Sequence, residues 1–77
     1  MKQITIYDLI PLLNGGYVAM DEDGNWKWYA LKPKMFKRSK NWMDKAFSYL
    51  DLYQFNIAPF DGDWKDSLIK VEHRGEE

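Results

Sequence analysis

Two β-prone runs, Tyr17-Val18-Ala19-Met20 and Asn25-Trp26-Lys27-Trp28-Tyr29-Ala30-Leu31, stand either side of Asp23-Gly24. Aspartate followed by glycine between such runs is a tight-turn signal, because glycine takes left-handed backbone at no steric cost. The segment 17–31 is therefore predicted as an antiparallel hairpin around which the rest of the chain packs. With Asp23-Gly24 as a two-residue loop, Ala19 faces Trp28, Met20 faces Lys27 and Asp21 faces Trp26. Trp26 and Trp28 then share one face of the strand, and Lys27 and Tyr29 share the other.

The chain has 77 residues, which supports one core and leaves no room for a second. Residues 1–72 are read as a single compact domain and 73–77 as a polar tail. Domains of this size usually need a staple, and with no cysteine neither a disulfide framework nor a thiolate metal site can supply it. Four Trp, five Tyr and four Phe offer large rings to bury instead. Homodimer formation is the other route to more buried surface.

Flanking the hairpin, Lys2–Ile6 alternates like a short strand but also suits the approach to a helix. Thr5 and Asp8 have capping-box spacing, and Ile6, Leu9, Ile10 and Leu13 form a helical stripe. Pro11 argues for a later start, because its ring is tolerated in a first turn. A short helix over 8–14, ended by Asn14-Gly15-Gly16, follows from that. Pro33 closes the hairpin's second strand, and Met35-Phe36 forms at most a short strand inside a basic loop. Trp42, Ala46, Phe47, Leu50 and Tyr53 keep helical spacing, which predicts a helix over 42–50. The competing reading makes 49–57 extended. Ser67–Glu72 alternates as a last strand. The fold class is α+β: a short N-terminal helix packed on a small antiparallel sheet centred on the 17–31 hairpin.

Catalytic constellations are sparse. There is no cysteine nucleophile, and His73 is the only histidine, set in a polar terminus with no group to orient it. Asp21-Glu22-Asp23-Gly24-Asn25 resembles a calcium loop until the register is set. Ala19 then falls at the first ligand position and Ala30 at the twelfth, where a carboxylate is needed. Asp61, Asp63 and Asp66 are read as turn and capping residues, and Asn14-Gly15-Gly16 follows a helix instead of opening one, so it is no phosphate loop. The chain is read as a non-enzyme without metal or cofactor. Asp8 and Pro11 break the apolar run near the start, far short of the ~20 residues of a spanning helix, so no membrane is expected and a cytoplasmic location follows.

The strongest functional signal is the stretch 26–42. It holds Lys27, Lys32, Lys34, Lys37, Arg38 and Lys40 without one carboxylate, interleaved with Trp26, Trp28, Tyr29, Phe36 and Trp42. The remainder has five cations against all twelve carboxylates, so the net charge of −1 conceals a segregated charge pattern. A one-signed patch with aromatic surface steers and holds an acidic partner. The candidate partner-binding residues are Lys27, Tyr29, Lys32, Lys34, Phe36, Lys37, Arg38 and Lys40, with the acidic surface of a host protein as the first candidate partner. Nucleic acid is the alternative, since cations neutralise phosphates and rings stack on bases. Its weakness is the overall acidity, with a sequence pI near 5.8. The plain structural reading is a solvated hairpin face whose aromatics fill the core.

Taken with Lys32-Pro33, the runs Tyr17–Asp21, Gly24–Tyr29 and Phe55–Leu68 (FNIAPFDGDWKDSL) resemble small proteins encoded by phages and prophages of Gram-positive bacteria. The resemblance covers about two-thirds of the chain and carries no site residues. It implies a phage accessory protein in the host cytoplasm, a class that includes inhibitors of host defence such as anti-CRISPRs. Such inhibitors act by occupying a surface. The basic loop departs from the acidic, DNA-mimicking form of that strategy.

Overall fold

The computed structural model describes residues 3–45 and 49–71. Four antiparallel strands form the main sheet: β1 (Tyr17–Met20), β2 (Trp26–Tyr29), β5 (Tyr49–Asp51) and β6 (Ile69–Lys70), in the order β5-β2-β1-β6. A separate ribbon pairs β3 (Lys34–Phe36) with β4 (Asn41–Met43). One short helix, α1 (Ile6–Leu9), precedes the strands. This is the α+β architecture the sequence predicts, with the hairpin at its centre.

The hairpin's register differs by one residue from the two-residue-loop expectation. Val18 faces Trp28, Ala19 faces Lys27 and Met20 faces Trp26. The loop has three residues, because the Asp21 N–H bonds to the Asn25 carbonyl and the Gly24 N–H to the Asp21 carbonyl. Gly24 sits at φ +92, the left-handed residue that closes a three-residue hairpin loop. The energetic reason is the apolar pattern. The observed register puts Val18 and Met20 beside the two tryptophans, where the expected one would put Ala19 and Asp21.

Because side chains alternate across the sheet, the hairpin feeds two cores. On one face Val18, Met20 and Trp26 pack with Ile6, Leu9, Leu52 and Val71, and Trp28, Ile57 and Phe60 close over them. On the other, Ala19, Tyr29 and Trp42 form the centre, joined by Tyr17, Met35, Tyr49 and Leu68. The main sheet is thus the middle of three layers, between α1 with its adjoining loops and the β3–β4 ribbon. The fully buried Ser67 accepts the Met20 N–H at 2.8 Å and donates to the Trp64 carbonyl at 2.7 Å, satisfying polar groups that two-residue β6 does not reach.

The helix begins at Ile6, two residues earlier than expected. The Asp8 carboxylate accepts the Thr5 N–H at 2.9 Å and the Thr5 hydroxyl at 3.2 Å, which holds the start at Thr5. Pro11 is accommodated not by a late start but by a change of helix type, to a 3-10 turn over Ile10–Leu12. Lys2–Ile6 forms no strand among its described residues, Ile4 making only an isolated parallel bridge to Ile57.

The helix expected over 42–50 is replaced at both ends by strands, β4 and β5, while 46–48 lie outside the described residues. Trp42 is held by β3 and by the sheet beneath it, and β5 pairs Tyr49 with Tyr29 and Leu50 with Trp28. Tertiary pairing overrides a helical spacing that only scattered apolar residues supported. Of the strand expected over 67–72, the described residues form Ile69–Lys70, since Ser67 caps the 3-10 turn Trp64–Asp66; residue 72 lies outside the described residues. The tail 73–77 lies outside the described residues.

Candidate interaction surface

The β3–β4 ribbon alternates in what it buries. Met35 and Trp42 face each other and join the second core, whereas Lys34 pairs with Met43 and Phe36 with Asn41 on the outward side. Lys37-Arg38-Ser39-Lys40 forms the tip, all four residues exposed, and Lys40 closes it at φ +59.

Side chains from the hairpin hold the ribbon to the main sheet. The Asp21 carboxylate accepts the Trp42 N–H at 2.8 Å, and the Tyr29 hydroxyl donates to the Trp42 carbonyl at 2.8 Å. The other Asp21 oxygen pairs with the Lys27 ammonium at 2.7 Å, with both side chains largely buried (Asp21 7% and Lys27 14% exposed). That ammonium also lies 4.8 Å from the centre of the Tyr49 ring. Burial alone would lower the Lys27 pKa, but the hydrogen bond and charge of Asp21, together with the charges of Tyr49 and Asp51, more than offset it, so the pKa ends above its ordinary 10.5. Burial, reinforced by the charges of Asp21 and Asp44, pushes the Tyr29 hydroxyl well above its ordinary value of 10.0.

Outside this knot, Leu31, Lys32, Lys34, Phe36, Met43, Asp44 and Lys45 line a groove of about 320 Å³. Its apolar members remain open to solvent, Leu31 at 53% and Phe36 at 47%. Lys32, Lys34 and Lys45 are exposed and, among the described residues, form no ion pair within 4 Å. Asp44, a buried carboxylate, borders the groove. The result is an apolar floor with three free ammonium groups around it, next to a basic tip.

The eight predicted residues divide into three groups. Lys32, Lys34 and Phe36 come together in the groove. Lys37, Arg38 and Lys40 stand at the exposed tip, where Lys40 makes a loose pair with Glu22 at 3.6 Å. Lys27 and Tyr29 belong to neither group. Tyr29 has no exposed surface, and Lys27 is committed to Asp21 with little of its side chain exposed, so neither stands on the outward face. The hairpin's alternation sent them to the inner face, which the second layer covers.

Leu31, Met43 and Lys45 were not among the predicted residues. The signal for them was a second hairpin: Lys-Met-Phe and Asn-Trp-Met flank a polar tetrapeptide, and pairing those runs sets Met43 beside Lys34. Elsewhere, Asp63 caps the Trp64–Asp66 turn by accepting the Lys65 N–H at 3.0 Å. That bond and the Lys65 ammonium hold its carboxyl below the usual range. Among the described residues, no three or more metal-ligating side chains converge, and no helix is long and apolar enough to cross a membrane. No family model matches the chain, and neither the curated proteins nor the solved structures yield a match.

Proposed function

We propose that this chain is a non-catalytic interaction module that captures an acidic protein surface with the outward face of its β3–β4 ribbon. The observation that carries the reading is the apolar groove bordered by Lys32, Lys34 and Lys45, beside the exposed basic tip Lys37-Arg38-Ser39-Lys40. An apolar floor supplies affinity by desolvation, while rim charges set encounter rate and orientation. Combined with the resemblance to phage-encoded small proteins, the reading becomes an inhibitor of a host-defence complex, of the anti-CRISPR kind, acting in the host cytoplasm by occupying a surface.

The exposed tip Lys37-Arg38-Ser39-Lys40 favours a second reading, an accessory protein that binds nucleic acid through phosphate contacts. A paired titration separates the two, with fluorescent pools of acidic, aromatic-containing peptides and labelled single- and double-stranded oligonucleotides, each at low and physiological salt. Peptide capture that survives the higher salt and is lost in the Lys32→Glu/Lys34→Glu double variant supports the protein-binding reading. Oligonucleotide binding that falls log-linearly with salt, with no peptide captured, overturns it in favour of nucleic acid.

A further inference from the structure

We propose that the groove's occupant is an extended acidic segment of a partner protein, which adds as a third strand to the open edge of β3. This rests on the protein-binding reading above and specifies its mode. The argument starts at Trp42. Its N–H goes to Asp21 and its carbonyl receives the Tyr29 hydroxyl, so both of its main-chain polar groups point toward the main sheet and away from β3. The Met35–Trp42 pair is therefore the non-hydrogen-bonded pair of the ribbon, and the ladder runs through Lys34–Met43 and Phe36–Asn41. Main-chain polar groups alternate in direction along a strand. The N–H and carbonyl of Met35 consequently point off the free edge of β3, and neither makes a hydrogen bond among the described residues.

An added strand satisfies both groups at once, as main-chain addition does at other sheet edges. The same strand directs every second side chain to the face that carries Lys34 and Phe36, which is the groove side. An apolar side chain lands there on Leu31, Phe36 and Met43, and carboxylates two residues away reach Lys32, Lys34 or Lys45. Charge also selects the occupant. Lys34 on the edge strand and Lys32 before it repel the same edge of a second copy, a common device against self-pairing, and leave an acidic strand as the complement.

The test begins with selection of random decapeptides on the immobilised full-length protein, followed by backbone N-methylation of the winners in the two alternating phases. The expected winners hold Asp or Glu two positions before or after an apolar residue. N-methylation in the bonding phase weakens them by roughly tenfold or more, and in the opposite phase by about twofold or less. On the protein, Met35→Pro removes the outward N–H without removing a ladder bond and reduces affinity comparably. Because that variant alters a core residue, its fold is checked by tryptophan emission. If it unfolds, the N-methylated peptides decide. Acidic winners indifferent to N-methylation in both phases overturn strand addition and leave the protein-binding reading standing. Winners without acidic character, or none, overturn both.

Discussion

The Tyr29 hydroxyl donates to the Trp42 carbonyl across 2.8 Å, from a side chain with no solvent exposure. Tyr29 belongs to the main sheet and Trp42 to the ribbon, so the bond joins two layers between which no strand pairing exists among the described residues. Tyr29→Phe keeps the ring and removes the donor, leaving a buried carbonyl unsatisfied. A loss of about 1–3 kcal/mol is expected in urea unfolding, with little change in far-UV circular dichroism. A loss under a few tenths would mean that the bond contributes nothing net.

Asp21 serves two partners, the Lys27 ammonium and the Trp42 N–H, whereas Lys27 has one carboxylate and a ring. Asp21→Ala should therefore cost more than Lys27→Met. About 3–5 kcal/mol is expected for the aspartate, which strands both a buried cation and an N–H. Lys27→Met keeps the stem's packing and leaves Asp21 one partner. Equal losses, or the reverse order, in denaturant titrations would show that the Trp42 bond is not what gives Asp21 its weight.

Alkaline pH should weaken the fold through the same residues. The native pKa values of Lys27 and Tyr29 both lie above their ordinary values, 10.5 and 10.0 respectively. The native state then holds these protons after the unfolded chain has released them. Their contribution is complete below about pH 10 and is lost as pH rises through the native values. Urea midpoints at pH 8, 10 and 11 should fall in that order, and the fall should be shallower in Tyr29→Phe.

Two neighbouring glycines should respond differently to alanine. Gly15 has φ +97 and open space at its Cβ position, so Gly15→Ala carries only backbone strain of about 1–2 kcal/mol. Gly16 has φ +86, and a Cβ there would lie 2.6 Å from both the Trp28 Nε1 and the Tyr29 carbonyl oxygen. Gly16→Ala therefore adds a backbone clash and should unfold much or all of the protein at room temperature. Similar melting temperatures for the two variants would contradict this close approach.

The hairpin was legible because its period and its turn agreed over fifteen residues. Its register was not, since Asp23-Gly24 fits a two-residue loop and the end of a three-residue loop equally well. The decisive clue was which of Ala19/Asp21 or Val18/Met20 belonged beside Trp26 and Trp28. The ribbon was harder. Lys34–Phe36 and Asn41–Met43 are three residues each, too short to display a period, and Trp42 with Leu50 fits a helix as readily as two strands. The basic character of the surface was visible in the sequence, but its apolar floor was not, because Leu31 and Met43 are twelve positions apart.

The ribbon's alternation carries a consequence for how such a protein changes over generations. Met35 and Trp42 serve the fold, while Lys34, Phe36 and Met43 beside them serve the surface. Substitutions at the outward positions reach solvent-facing atoms and spare the layers underneath. The outward face can then change its chemistry on a scaffold held still by residues one position away.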